Sequence, residues 1–151
     1  MSDQTAQNKA ALRYYVEQLN HRNYAVLDEL VASQVVTSAL HEPDNPLEQE
    51  IISREDYRQG ILGRIAAFPD YQVTILDMLA EGERVMLYWS YRGTQQGAYA
   101  GVPATGRVMR EYAMSIYRFV DNQIVEVHGF WDRASLWQQL GLIPPADKIL
   151  P

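Results

Sequence analysis

The 151 residues are 47% hydrophobic and of single-domain length; a domain of this size buries roughly 68–70% of its unfolded surface, so one core in a single domain spanning 1–151 is expected. Thirteen basic residues against nineteen acidic ones give a formal charge of -6 with no run of like charge, which excludes the phosphate-neutralising surface that nucleic-acid binding requires. The absence of cysteine excludes disulfides, thiolate metal sites and a cysteine nucleophile; the polar start and the lack of a long apolar run point away from a membrane and to a cytoplasmic protein.

Leu12, Tyr15, Val16 and Leu19 recur at helical spacing and predict an amphipathic helix over about 5–20. A short second helix follows from about Tyr24, with Leu27, Leu30 and Val31 on one face, and then a short strand over 35–40. Pro43, Asp44, Asn45 and Pro46 break the chain, and Ser53 with Asp56 three residues later opens a third helix whose core face is Tyr57, Ile61, Ile65 and Phe68, stopped by Pro69. From Tyr71 the period becomes two, and Glu81-Gly82 is a turn signal between strands over 71–80 and 83–94. A connection carrying Gly97, Gly101, Pro103 and Gly106 leads to a long strand over 107–120, and Asp121-Asn122 turns it into a closing strand from Ile124 to Asp132. The residues 133–140 form a terminal helix with Gly141 as its cap.

Helices followed by an antiparallel meander argue for an α+β domain in which helices cover one face of a curved sheet. Tyr112, Met114, Ile116, Val125, Val127 and Trp131 make the second face of the last hairpin apolar as well, which implies a homodimer through the sheet.

Strict alternation along the closing strand places Ile124, Glu126, His128, Phe130 and Asp132 on one face and Val125, Val127 and Trp131 on the other. A two-residue turn at Asp121-Asn122 pairs Val120 with Gln123, which sets Ser115 opposite His128 and Glu111 opposite Asp132. Two neighbouring carboxylates beside Phe130 would raise the pKa of one of them and prepare it for proton exchange near neutrality. Asp132 also suits the N-cap of the last helix, a role compatible with acting as a base. His128 stands roughly 13 Å along a straight strand from Asp132, too far to share its proton, and reads either as a second contact to one ligand or as a satisfied core histidine.

Tyr15 reads as a core aromatic or as a phenol donor to an oxyanion, and Trp89 as pocket wall or core. His41 reads as a solvated loop histidine or a ligand contact, and His21 as exposed. Three scattered histidines show no metal-ligand spacing, and the glycines match no phosphate cradle, so neither a metal nor a nucleotide cofactor is expected.

Ala67-Phe68-Pro69-Asp70, Leu79-Ala80-Glu81-Gly82-Glu83-Arg84-Val85, Trp89, Arg92-Gly93-Thr94 with Gly97, the loop from Gly101-Val102-Pro103 to Thr105-Gly106-Arg107, and Ile124-Val125-Glu126 with Trp131-Asp132 together resemble the SnoaL-like polyketide cyclase family. The ordered set covers nearly the whole chain after Asn8. The chain departs from the family's pattern at Glu126-Val127-His128, where members often read Glu-His-Trp, and at Ser38, where they often carry histidine.

The resemblance implies the nuclear transport factor 2-like fold, a cone in which helices pack on a strongly bent, mostly antiparallel sheet around a pocket. It also implies an aldol cyclisation performed without metal or cofactor on a small apolar, carbonyl-bearing, polyketide-like molecule. An aspartate matching Asp132 would serve as acid and base. With Glu111 and His128 as further catalytic candidates, the substrate contacts expected are Tyr15, Trp89, Ser115, Phe130 and His41. The fold also hosts isomerases, hydrolases, hydroxylases and non-catalytic binding proteins, so a small-molecule binder is the alternative from another class. The Asp-Arg-Asp set of the limonene epoxide hydrolases is missing, because the strand over 107–120 has no aspartate.

Overall fold

The structure, a computed structural model, describes residues 3–38 and 49–148. His41 and the proline turn that follows it lie outside the described residues.

The apolar stripe of the first segment forms α1 (Asp3–Asn20), which buries Leu12, Tyr15 and Val16. Helix α2 (Ala25–Leu30) buries Val26, Leu27 and Leu30. It ends earlier than predicted because Val31, Val35, Val36 and Thr37 are β-branched and favour the extended chain, and strand β1 (Val31–Ser38) starts directly at Val31. Strand β2 (Gln49–Ser53) has no counterpart in the sequence reading, since Ile51 and Ile52 are too short an apolar run to register and Ile51 is exposed. Ser53 caps α3 (Arg54–Ala67) by accepting the Asp56 amide at 3.0 Å, the geometry its spacing predicts.

Strands β3 (Gln72–Glu81) and β4 (Arg84–Thr94) form the predicted hairpin, with Glu81 paired to Arg84. The turn is therefore Gly82-Glu83, one residue later than predicted, with the positive φ of 56° at Gly82. The connection to β5 (Val108–Val120) is organised by the buried Gln95 side chain, which donates to the carbonyls of Val102 and Pro103 and accepts from Thr105. Gly97 is required there: its amide donates to the Ala67 carbonyl at the end of α3, and a Cβ would stand 2.7 Å from the Ala66 oxygen. Asp121 and Asn122, with φ of 48° and 61°, turn β5 into β6 (Gln123–Trp131) as predicted. Asp132 and Gly141 bound α4 (Arg133–Leu140), which packs on β5 and buries Leu136 and Leu140.

Among the described residues the strands form one sheet in the order β2-β1-β6-β5-β4-β3, antiparallel except for the parallel pair β1 and β6. This is the expected α+β architecture of helices on a bent, mostly antiparallel sheet.

The register of the last hairpin differs from the count outward from its turn. Phe119 pairs with Ile124 but Arg118 pairs with Glu126, so Val125 is an extra, bulged residue. Beyond it every side chain changes face. Ser115 lies opposite Gly129 rather than His128, and Ala113 opposite Trp131, so Glu111 does not pair with Asp132. Val127, Gly129 and Trp131 turn inward, whereas Phe130, 83% exposed, turns out. The outer face of the sheet carries Leu79, Met86, Tyr88, Tyr112, Met114 and Ile116 exposed beside Phe130. Tyr112, Met114 and Ile116 thus stand where the dimer expectation put them, while Val127 and Trp131 have left that face.

Candidate functional site

The concave side of the sheet and α1 and α3 enclose a largely apolar cavity of about 310 Å³. Helical spacing on α3 sends Tyr57, Ile61, Arg64 and Ile65 to it; Tyr57 and Ile61 pack against the core as expected and line this cavity as well. Tyr15 of α1 faces them, and the floor is made by Trp89 of β4 with Ser115 and Tyr117 of β5. Tyr15, Trp89 and Ser115 thus lie together, as the sequence reading has them.

Two pairs of polar side chains in this lining bond to each other. The Trp89 indole donates to the Ser115 hydroxyl at 3.0 Å, and the phenol oxygens of Tyr15 and Tyr57 are 3.0 Å apart. Tyr117 meets Tyr15 edge-on with ring centroids 6.2 Å apart. Burial, followed by the neighbouring phenols, pushes Tyr15 and Tyr117 well above the ordinary tyrosine range, so both stay protonated. Gly129 makes room for Trp131: a Cβ at Gly129 would lie 2.6 Å from Cζ3 of that ring. The Trp131 ring is flanked by the guanidinium groups of Arg64, 5.5 Å from its centroid, and Arg133, at 5.6 Å.

Glu111 is 1% exposed and lies behind this lining. The Tyr91 hydroxyl donates to its Oε2, and among the described residues its Oε1 is buried without a partner. Burial raises its pKa first, and the Asp132 charge raises it further, against the lowering effects of the Tyr91 hydrogen bond and of Arg64 and Arg133. The coupling of the two carboxyl groups is therefore present without their being cross-strand neighbours. Asp132 itself is exposed and accepts the Ser135 amide at 3.0 Å as the N-cap of α4, but it does not line the cavity, although Trp131 next to it does.

His128 is a correction to the sequence reading. The bulge carries it to the side of the sheet away from the cavity, where Nδ1 lies 2.8 Å from the Ser38 hydroxyl and Nε2 lies 2.9 Å from Glu126 Oε1. Arg118 Nε donates to the other oxygen of Glu126. Hydrogen bonds from His128 and Arg118 hold the Glu126 carboxyl below its usual range. Phe130 likewise leaves the set of substrate contacts, being on the outer face.

Sequence reasoning missed Arg64. The signal was available, because Arg64 falls on the apolar stripe of α3 between Ile61 and Phe68, and a cation on such a stripe needs a reason. Among the described residues no group of three metal-ligating side chains converges, and no helix is long and apolar enough to cross a membrane.

The family model for the SnoaL-like polyketide cyclases matches residues 9–140. No curated protein matches the chain. Among solved structures, AclR of Streptomyces galilaeus, a proposed hydroxylase, is 26% identical with a TM-score of 0.79, over 96% of this chain and 87% of that one. Wild-type IdmH of Streptomyces antibioticus, a proposed polyketide cyclase, is 26% identical with a TM-score of 0.76, over 89% of this chain and 99% of that one. A SnoaL-like polyketide cyclase proposed from Jannaschia sp. CCS1 shares the fold, with a TM-score of 0.81 at 20% identity over 96% of this chain and 98% of that one.

Proposed function

The chain belongs to the SnoaL-like polyketide cyclase family, and on that premise we propose that it is an enzyme acting on a small, largely apolar, carbonyl-bearing molecule by carboxylate acid–base chemistry of the aldol-cyclase type. The observation that carries the reading is the pairing of an apolar cavity with phenols that burial keeps protonated. Proton removal from a carbon beside a carbonyl leaves charge on the carbonyl oxygen, and Tyr15 and Tyr57 are donors suited to receive it. Asp132 is the base in this reading: it stands at the N-terminus of α4 and follows Trp131 of the cavity wall directly. Glu111, held toward its protonated form behind the wall, serves as the acid.

Proton abstraction can be read without knowing the natural substrate, by following solvent deuterium into the methyl group of 2-acetonaphthone by NMR. The enzyme reading expects exchange above the buffer rate, and its loss in Asp132→Asn with binding retained. Exchange that never exceeds the buffer rate, with the ketone bound, supports the second reading, a non-catalytic small-molecule binder. One observation favours that alternative: neither Asp132 nor Glu111 lines the cavity.

A further inference from the structure

Arg64 places a guanidinium in the wall of an otherwise largely apolar cavity, and among the described residues it makes no ion pair. A cation in low-dielectric surroundings is costly unless paired. Its neighbours meet that need in part: the Trp131 ring takes it at 5.5 Å from the centroid, and the Tyr71 hydroxyl is within its hydrogen-bonding reach. A guanidinium has five donors, and a face contact and one phenol do not use them. The carboxyl groups nearby do not supply the missing partner. Glu111 is engaged by Tyr91 and held toward its neutral form. Glu50 and Asp56 also line the cavity, and neither forms an ion pair with Arg64; Asp56 stands eight residues earlier on α3, about 12 Å away along the helix axis.

We propose that Arg64 is the anchor for a carboxylate on the ligand, so that the cavity takes a flat, unsaturated organic acid with its anionic group against α3 and its apolar body along Trp89 and Trp131. The planar fork of arginine matches a carboxylate with two parallel hydrogen bonds, and the cavity's shielding from water strengthens them. This deepens the reading above and rests on the same cavity being the ligand site. It narrows the substrate class from a carbonyl-bearing molecule to one that also carries a free carboxylate.

Isothermal titration of the wild-type protein with 2-naphthoate and with its neutral methyl ester tests the proposal. The carboxylate is expected to bind at least roughly tenfold tighter than the ester. Arg64→Met should abolish that preference, and Arg64→Lys should keep part of it. Equal affinities in the wild type, no binding of the carboxylate at millimolar concentration, or a preference that survives in a folded Arg64→Met would each overturn it. If Arg64→Met does not fold, the wild-type pair of ligands still decides. Failure here is distinct from failure of the enzyme reading, because deuterium exchange into the neutral ketone does not depend on a ligand carboxylate.

Discussion

Replacing Asp132 separates two roles that one side chain holds. Its carboxylate accepts the Ser135 amide at 3.0 Å and starts an eight-residue helix that is tied to the sheet through buried Leu136 and Leu140. Asp132→Ala removes that cap and should cost about 1 kcal/mol, within a range of roughly 0.5–2. For a domain of this size that is a fall in Tm of roughly 2–4 °C for each kcal/mol. Asp132→Asn keeps an oxygen on the Ser135 amide and loses only the attraction between a charge and the helix N-terminus, about 0.3–1 kcal/mol and weakened by salt. If Asp132 is also the base, both variants should lose deuterium exchange into 2-acetonaphthone by roughly 10²–10⁴-fold. A loss of that size in the well-folded Asn variant cannot come from a cap it retains. Thermal unfolding by circular dichroism at low and high salt, run beside the NMR exchange, reads both roles. Full exchange activity in Asp132→Asn would refute the base, and an unchanged Tm in Asp132→Ala would refute the cap.

Glu111→Gln tests the raised carboxyl. A folded-state pKa above the unfolded one gives a contribution to stability that is whole below about 4.5 and is lost as pH rises through the folded value, so the variant should gain on the wild type between pH 4.5 and pH 7.5 in urea unfolding; a pH-independent difference would count against the shift. Gly129→Ala places a methyl group 2.6 Å from Trp131 Cζ3, and overpacking of this kind should cost about 1–3 kcal/mol and weaken naphthoate binding together, whereas a neutral result in both would mean that the ring has room to move. The exposed apolar outer face leads us to propose a homodimer through the sheet: Met114→Glu should halve the mass seen by analytical ultracentrifugation with the fold intact, and a wild-type monomer at every concentration would end that proposal.

The elements were legible wherever local chemistry decides them. Ser53 and Asp132 as caps, Gly141 beyond α4 and the Asp121-Asn122 turn stand where their residue types place them, because each depends on one or two neighbouring backbone groups. The cavity was legible in part. Tyr15, Trp89 and Ser115 meet in it, since each sits on an apolar face whose period could be counted. Arg64 escaped because the period of its stripe is carried by the apolar residues Tyr57, Ile61, Ile65 and Phe68. Strand β2 escaped because it is formed by pairing with β1 and not by a pattern of its own.

Residue types and their spacing determined the helices, the turns, the meander and the family, because periods and caps act over a few residues. The faces of β6 were decided only in three dimensions. Val125 carries neither glycine nor proline to mark a bulge, and its extra residue arises from how Arg118 and Phe119 pair across the hairpin. That single insertion sends Trp131 inward to the cavity and turns His128 and Phe130 out of it. It leaves Glu111 and Asp132 coupled by charge without facing each other across the strands. Alternation is a local rule, whereas register is a property of two strands at once.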